Sequence, residues 1–159
     1  MKKQKQKKQR VIVINNKARH NFQFEAPFEA GLALEGWEVK SLRAHRIQLG
    51  DSYVFIKNRE AWLIGANIAP LSSVSTHLSP NCQRIRKLLL HRKEISKLNN
   101  YAKKKGYSVI AVNLHWRHNR IKAAIAVAKG KKSYDKRETL KQRDWYREKQ
   151  RTLKNTRVL

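Results

Sequence analysis

Basic side chains crowd both ends of this chain, and this uneven charge limits which segments can fold. Residues 1–10 carry six basic and no acidic side chains, and Met1 is their only apolar residue. Residues 129–159 carry twelve basic against four acidic side chains, whereas residues 11–128 carry nineteen against seven. A segment without apolar side chains cannot offset the entropy lost on ordering. We therefore expect a disordered basic arm over 1–10, a folded body over 11–129 and a basic tail over 130–159.

The total charge indicates the kind of partner. The 159 residues carry a formal charge of +26 at pH 7, and 40% of them are hydrophobic. This length suffices for one domain with a buried core. Self-repulsion on this scale is relieved by binding a polyanion, so a nucleic acid is the first candidate partner.

Cysteine content and the length of apolar runs exclude several other classes. Cys82 is the only cysteine, so the sequence has neither a disulfide framework nor a cysteine-rich zinc site. The apolar run after the basic N-terminus, Val11–Ile14, is too short for a signal peptide. Nothing approaches the ~18 apolar residues of a membrane span. We expect a cytoplasmic protein that does not enter a membrane.

The body has the pattern of short strands. Alternation of apolar and polar residues predicts strands at Phe22–Phe24 and at Trp37–Ser41. Two hairpins are also indicated, each by two apolar runs around a polar turn. Their turns are Lys57-Asn58-Arg59-Glu60, between Tyr53–Ile56 and Ala61–Ile64, and Arg117-His118-Asn119-Arg120, between Tyr107–Trp116 and Ile121–Ala128.

Two short helices are predicted among these strands. Lys93–Lys105 places Ile95, Leu98, Tyr101 and Ala102 on one helix face, with Gly106 as a C-terminal cap. The second predicted helix is Phe28–Leu34. Six or seven short strands with two helices predict a mainly β fold, an antiparallel sheet rolled into a small barrel, because closure removes exposed strand edges.

The tail has a different pattern. Asp135–Leu153 contains no Pro or Gly, and opposite charges lie three residues apart, which favours a helix. Its apolar residues, Leu140, Trp145, Tyr146 and Leu153, do not form one stripe at helical spacing. We therefore expect a tail that is disordered alone and helical when it is surrounded by an anionic partner surface.

Two groups of residues could carry chemistry, and each has a simpler interpretation. Gly130-Lys131-Lys132-Ser133 resembles the end of a phosphate-binding loop, but Ile125 and Lys132 stand where that motif needs Gly and Ser or Thr. His115 and His118 have no carboxylate or thiolate near them in sequence, so no metal site or other cofactor is predicted. No nucleophile lies beside an evident base, which argues against an enzyme.

Acidic and aromatic residues of the body leave two interpretations open. The cluster Glu25, Glu29, Glu35 and Glu38 is interpreted as solvated or ion-paired, with hydrogen bonding to a base or ribose as the alternative. The aromatic residues Trp37, Tyr53, Phe55, Trp62 and Trp116 are assigned to the barrel core in preference to base stacking. Tyr134 lies among lysines without apolar neighbours and is a candidate to stack on a base.

Six collinear blocks resemble the SmpB family, the SsrA-binding proteins of bacteria. The blocks are Asn16-Lys17-Ala18-Arg19-His20, Glu29-Ala30-Gly31-Leu32, Gly36-Trp37-Glu38-Val39-Lys40-Ser41-Leu42-Arg43, Asp51-Ser52-Tyr53-Val54, Arg86-Lys87-Leu88-Leu89-Leu90 and Ala128-Lys129-Gly130-Lys131-Lys132-Ser133-Tyr134-Asp135-Lys136-Arg137. The resemblance implies an oligonucleotide-binding (OB) type β-barrel that holds the tRNA-like domain of transfer-messenger RNA (SsrA RNA) and takes it to stalled ribosomes. The basic tail would enter the small-subunit decoding centre and the empty messenger channel.

The same resemblance implies functional residues and further partners. It places eight residues at the transfer-messenger RNA surface: Asn16, Lys17, His20, Glu29, Arg86, Lys87, Leu89 and His91. It places nine tail residues at the decoding centre and channel: Gly130, Lys131, Lys132, Tyr134, Asp135, Lys136, Arg137, Trp145 and Leu153. Elongation factor Tu and alanyl-tRNA synthetase are expected to act on the same RNA, and the protein itself is expected to be a monomer.

Two other functions stay open from the sequence. A basic ribosomal or ribosome-assembly protein would have a similar charge, and it would remain on ribosomal subunits through a high-salt wash. An RNA-modifying or RNA-cleaving enzyme would change RNA covalently. The absence of a nucleophile beside a base disfavours the enzyme.

Overall fold

A computed structural model describes residues 10–72 and 80–155 of the chain. The strands in these residues are β1 (Arg10–Ile14), β2 (Phe22–Leu32), β3 (Ile47–Gln48), β4 (Tyr53–Lys57), β5 (Glu60–Ile64), β6 (Asn67–Ile68), β7 (Arg86–Leu89), β8 (Tyr107–Arg117) and β9 (Arg120–Gly130). The helices are α1 (Asn16–Asn21), α2 (Gly36–Arg43), α3 (Arg92–Ala102) and α4 (Ser133–Asn155). Apart from Arg10, the arm predicted over 1–10 lies outside the described residues.

The larger sheet is antiparallel and strongly curled. Its strand order is β1-β8-β9-β2-β7-β5-β4, and β3 pairs with β6 separately. The curl brings β4, at one edge, into contact with β8, which lies next to the strand at the other edge. The interior is filled by large apolar side chains, among them Leu42, Leu63, Leu88, Leu114 and Ile125. The prediction of a mainly β, antiparallel fold with short helices is confirmed.

Both predicted hairpins are confirmed, and each closes in a two-residue turn. Lys57 pairs with Glu60 in one hairpin, and Arg117 pairs with Arg120 in the other. The central residues all have positive φ: 51° at Asn58, 60° at Arg59, 48° at His118 and 58° at Asn119. Positive φ at both central positions is typical of a type I′ turn, whose twist matches that of the paired strands.

The strand predicted at Trp37–Ser41 is wrong, because these residues form part of α2. The Glu35 backbone N–H donates to Glu38 Oε2 at 2.7 Å, which satisfies an otherwise open donor at the helix start. Residues Trp37, Glu38, Ser41 and Leu42 of this helix are buried, a spacing that suits one helix face. The alternation over five residues was too short to distinguish this face from a strand.

The helix predicted at Phe28–Leu34 is also wrong, because β2 continues to Leu32. The alternation that starts at Phe22 and Phe24 extends through Ala26, Phe28 and Ala30. Pro27 has no backbone N–H to donate to a neighbouring strand. The pairing of β2 with β7 involves Gly31 and Leu32, further along the strand, so Pro27 does not disturb it.

The helix predicted at Lys93–Lys105 is confirmed as α3, although it ends earlier. Leu98 is fully buried on its inner face, with Ile95 and Tyr101 half-buried beside it. The C-cap is Lys103, and Gly106, at φ +86°, instead turns the chain into β8.

The chain separates into two compact units, Met1–Lys129 and Gly130–Leu159. The second unit contains α4, which covers the helix predicted over Asp135–Leu153. Asp135 lies in its first turn and accepts a hydrogen bond from the Lys132 backbone N–H at 3.2 Å, as the helix dipole favours. That this helix forms only against a partner stays a prediction about the free chain. No helix in the described residues is long and apolar enough to cross a membrane.

Candidate RNA interface

An open cleft of about 910 Å³ brings together residues from distant parts of the sequence. It contains four of the residues predicted to face RNA: Glu29 from β2, Lys87 and Leu89 from β7, and His91 at the start of α3. Cationic residues that were not predicted as site residues complete its wall: Arg59, Arg117, Arg120 and Lys122, with His118 beside them. These side chains make the cleft suited to a polyanion.

Lys87 lies on the outward face of β7 at the edge of the cleft. Its Nζ forms an ion pair with Glu60 Oε1 and lies 5.7 Å from the centre of the Trp62 ring. Both members of the ion pair stay about 40% exposed, so water screens their attraction. A phosphate group can therefore compete for the ammonium group at small cost.

Glu29 lies beside two side chains from β8. It forms an ion pair with Arg117, and its Oε1 lies 3.5 Å from His115 Nε2. Neither Glu29 Oε1 nor His115 Nε2 has a hydrogen-bond partner among the described residues, and both atoms are buried. The structure thus supports the ion-paired interpretation of Glu29, which orients Arg117 at the rim of the cleft.

Leu89 and His91, with Leu90 between them, both line the cleft. Leu89 is 56% exposed, although it is a large apolar residue. It packs over Gly31, where a Cβ atom would lie 3.2 Å from Leu89 Cβ, so Gly31 permits this close pairing. His91 is exposed and precedes α3, where its backbone N–H donates to Glu94 Oε2 at 2.9 Å. The cap fixes the backbone of His91 at the start of α3.

Arg86, which the resemblance places at the transfer-messenger RNA surface, lies inside the body. Its side chain is completely buried. Its guanidinium donates to Glu38 Oε1 at 2.7 Å and to three carbonyl oxygens: those of Ala66 at 2.7 Å, Arg84 at 2.8 Å and Cys82 at 3.0 Å. Arg86 therefore positions β7. The next residue on this strand, Lys87, faces outward.

Glu38 is the anionic centre of this buried network. It also accepts a hydrogen bond from Arg84 at 2.6 Å. Burial by itself would raise the pKa of Glu38, but the hydrogen bonds from Arg84 and the Glu35 backbone and the charge of Arg86 outweigh it. The pKa of Glu38 therefore lies below its ordinary value of 4.5. Glu38 stays ionised at neutral pH.

Helix α1 carries the other predicted RNA-facing residues, away from the cleft. Asn15 anchors it: its side chain accepts from the Ala18 N–H at 2.9 Å and donates to the carbonyl oxygens of Leu49 and Ala111. Asn16, Lys17 and His20 are exposed, and Lys17 is paired with Asp51. Ala18 packs on Ile110 and Ala128, at the end of the β8–β9 hairpin opposite its turn. The predicted residues thus form two separate groups.

The tail residues all lie on or just before α4. Gly130 ends β9, Lys131 and Lys132 precede the helix, and Tyr134, Asp135, Lys136 and Arg137 occupy its first turns. Trp145 is 60% exposed, with Lys149 Nζ 5.0 Å from its ring centre. Leu153 lies in the last turn.

Three of the cationic cleft residues that were not predicted as site residues share one sequence feature. Arg59, Arg117 and Arg120 lie in or beside the two turns that had been predicted from sequence. A turn projects its side chains from the sheet, so charged turn residues are candidates for ligand contact. Among the described residues, no three His, Cys, Asp or Glu side chains are grouped so that they could hold a metal ion.

The fold and the cleft together define the class: a basic β-barrel protein with a surface suited to nucleic acid. The family described as SmpB protein matches residues 12–155. The SsrA-binding protein of Coxiella burnetii (strain Dugway 5J108-111) is 55% identical over 147 residues, 92% of each chain. That of Alkalilimnicola ehrlichii is 52% identical over 153 residues, 96% of each chain. The chain belongs to the SmpB family.

A solved structure agrees with this assignment. It comes from work described as "tmRNA-SmpB: a journey to the center of the bacterial ribosome". Its chain is 32% identical to this one with a TM-score of 0.65, and the match covers 77% of this chain and 86% of the other.

Proposed function

We propose that this chain is an RNA-binding adaptor of trans-translation. The body binds the tRNA-like domain of transfer-messenger RNA and delivers this RNA to stalled ribosomes. The observation that carries the proposal is the convergence of Glu29, Lys87, Leu89 and His91 on one basic cleft in a member of the SmpB family. The cations supply affinity for phosphates, and the curved protein surface recognises the shape of folded RNA.

The exposed residues of α1 form a second RNA contact. Asn16, Lys17 and His20 offer an amide, an ammonium group and an imidazole on one short helix that Asn15 holds firmly. They lie at the opposite end of the β8–β9 hairpin from the cleft, so both groups act together only on an extended RNA surface. A folded tRNA-like domain offers such a surface.

The tail acts on the ribosome. Its cations lie on all sides of α4, which suits a channel lined by ribosomal RNA phosphates. In this proposal Tyr134 stacks on a nucleotide of the decoding centre, with charged contacts around it, and Trp145 and Leu153 contact the empty messenger channel. The charged contacts come from Lys131, Lys132, Asp135, Lys136 and Arg137, and Gly130 begins the segment that carries them.

The proposed mechanism is shape mimicry without covalent chemistry. The adaptor works as a cytoplasmic monomer and needs no cofactor. Elongation factor Tu and alanyl-tRNA synthetase act on the same RNA while the adaptor holds it.

Identification of the bound RNA tests this function. The full chain, carrying an affinity tag, is purified from bacterial cells, and the RNA that remains bound is sequenced. We expect strong enrichment of transfer-messenger RNA over transfer and ribosomal RNA. Recovery of ribosomal RNA alone, retained through a high-salt wash, would instead indicate a ribosomal or assembly protein.

A further inference from the structure

The outer face of β4, β5 and β7 is rich in aromatic and apolar side chains. Inward residues on these strands, such as Val54, Leu63 and Leu88, are buried in the core. The alternate residues point outward and form rows across the strands. Tyr53 pairs with Ile64 in one row, and Phe55, Trp62 and Lys87 are successive partners in the next. We call Tyr53, Phe55 and Trp62 the aromatic face.

The sequence predicts that the residues of the aromatic face belong to the core, but the structure leaves them partly exposed. Tyr53 is 47% exposed and Phe55 is 48% exposed, and Ile85, next to β7, is 52% exposed. Trp62 is only half-buried. By contrast, Trp37 lies in the core, as expected. Exposed apolar side chains that form a continuous patch indicate a binding surface.

Charge on this face favours an anionic partner. Lys57 is the last outward-facing residue of β4, and Lys87 Nζ lies over the Trp62 ring, 5.7 Å from its centre. Among the described outward residues of the three strands, Glu60 is the one carboxylate, and Lys87 already pairs with it. The face also continues into the cleft, because Arg59, Glu60, Lys87 and Leu89 line the cleft wall.

Aromatic rings bordered by cations match the chemistry of an unpaired nucleotide. The rings stack on bases, and the ammonium groups contact the phosphates that link them. A protein partner would also cover apolar surface, but it would not need the Lys87 ammonium group over the Trp62 ring. Paired bases would not fit, because their faces are already stacked within the helix.

We propose that the aromatic face binds unpaired bases of the RNA whose folded part occupies the cleft. This inference rests on the proposed function and extends it: the cleft grips the folded domain, and the aromatic face captures nearby single-stranded or looped nucleotides. Tyr53, Phe55 and Trp62 each offer one ring for stacking.

The test compares variants of Phe55 in the full chain. Phe55→Leu keeps an apolar side chain but removes the ring, whereas Phe55→Trp enlarges the ring. If the ring stacks on a base, Phe55→Leu weakens binding to transfer-messenger RNA about ten-fold, with an unchanged dependence on salt concentration, and Phe55→Trp retains full affinity. Tyr146→Leu, at a tyrosine that is 61% exposed on α4, is the matched control and leaves the affinity unchanged.

Ultraviolet crosslinking provides a second readout that does not depend on affinity. Peptides containing Tyr53, Phe55 or Trp62 are expected to carry nucleotides from unpaired segments. If the wild type binds transfer-messenger RNA and both Phe55→Leu and Tyr53→Leu bind it with the same affinity, the inference is overturned and the proposed function stays intact. Failure of the wild-type chain to bind this RNA would overturn both. Unchanged RNA affinity with lost activity on ribosomes would show that the face contacts a different partner.

Discussion

Arg86 and Glu38 form an ion pair inside the body, with Arg86 Nε 2.7 Å from Glu38 Oε1 and both side chains inaccessible to water. The pair links β7, the strand that carries Lys87, to α2, the helix that follows β2. Because buried charges are costly when unpaired, each residue depends on the other.

Removal of the Glu38 charge should destabilise the body strongly. Glu38→Gln leaves the Arg86 guanidinium buried without its counter-ion, and we expect a loss of about 3–5 kcal/mol in the free energy of unfolding. Urea unfolding followed by circular dichroism at pH 7 measures this loss. Glu25→Gln removes the same charge from an exposed position and serves as the control. A loss below about 1 kcal/mol would show that the network contributes little.

The same carboxylate should make stability sensitive to acid. The pKa of Glu38 is lower in the folded protein than its ordinary value of 4.5, so its contribution is fully present above that pH. The contribution is lost as the pH falls below 4.5 toward the lowered value, because the unfolded chain takes up the proton first. Unfolding curves between pH 7 and pH 3 test this. The Glu38→Gln variant should lose less stability over that interval than the wild type.

Lys87 should contribute one phosphate contact. We expect Lys87→Ala to weaken binding of transfer-messenger RNA by about 1 kcal/mol and to lower the slope of log affinity against log salt by about one unit. Filter binding at several salt concentrations measures both quantities. Lys40→Ala removes an equal charge from an exposed site on α2, outside the cleft, and should have a smaller effect. Equal effects would mean that only net charge matters at Lys87.

The two units should have separable activities. Deletion of residues 130–159, at the boundary between the units, should leave the affinity for transfer-messenger RNA nearly unchanged and abolish peptide tagging on stalled ribosomes. Gel shift and an in vitro tagging assay measure the two activities. Parallel loss of both would contradict this division of labour.

Tyr134 should matter for tagging rather than for RNA binding. Tyr134→Ala removes the ring proposed to stack in the decoding centre, so tagging should fall by about ten-fold while the affinity for free transfer-messenger RNA stays unchanged. Tyr134→His keeps a planar ring and should retain most of the tagging activity. Tagging at the wild-type level with alanine at this position would exclude a stacking role.

Local patterns predicted several elements correctly. Each hairpin was visible because two apolar runs flank a short turn, and the asparagines at 58 and 119 tolerate the positive φ that a type I′ turn needs. Helix α3 was visible because its apolar residues recur at helical spacing. The predictions over Trp37–Ser41 and Phe28–Leu34 were wrong, because a window of five to seven residues suits either the helical or the strand period.

The candidate site was only partly predictable. The family resemblance led to Glu29, Lys87, Leu89 and His91, which the structure brings together in one cleft. It could not separate Arg86 from Lys87, since adjacent cations on a strand look alike in sequence. It also did not suggest Arg59 or Arg120, whose importance depends on where the turns lie in space.

The amino-acid sequence alone determined the charge of the chain, its division into a body and a basic tail, the two hairpins and membership of the SmpB family. The charge follows from residue types alone, and the other features follow from residue types at short or fixed spacing. Only the tertiary structure decided which face of each strand is covered. The curl of the sheet buries Arg86 against Glu38 and leaves Tyr53, Phe55 and Lys87 facing outward, because alternation defines two faces but contact with distant elements selects the inner one.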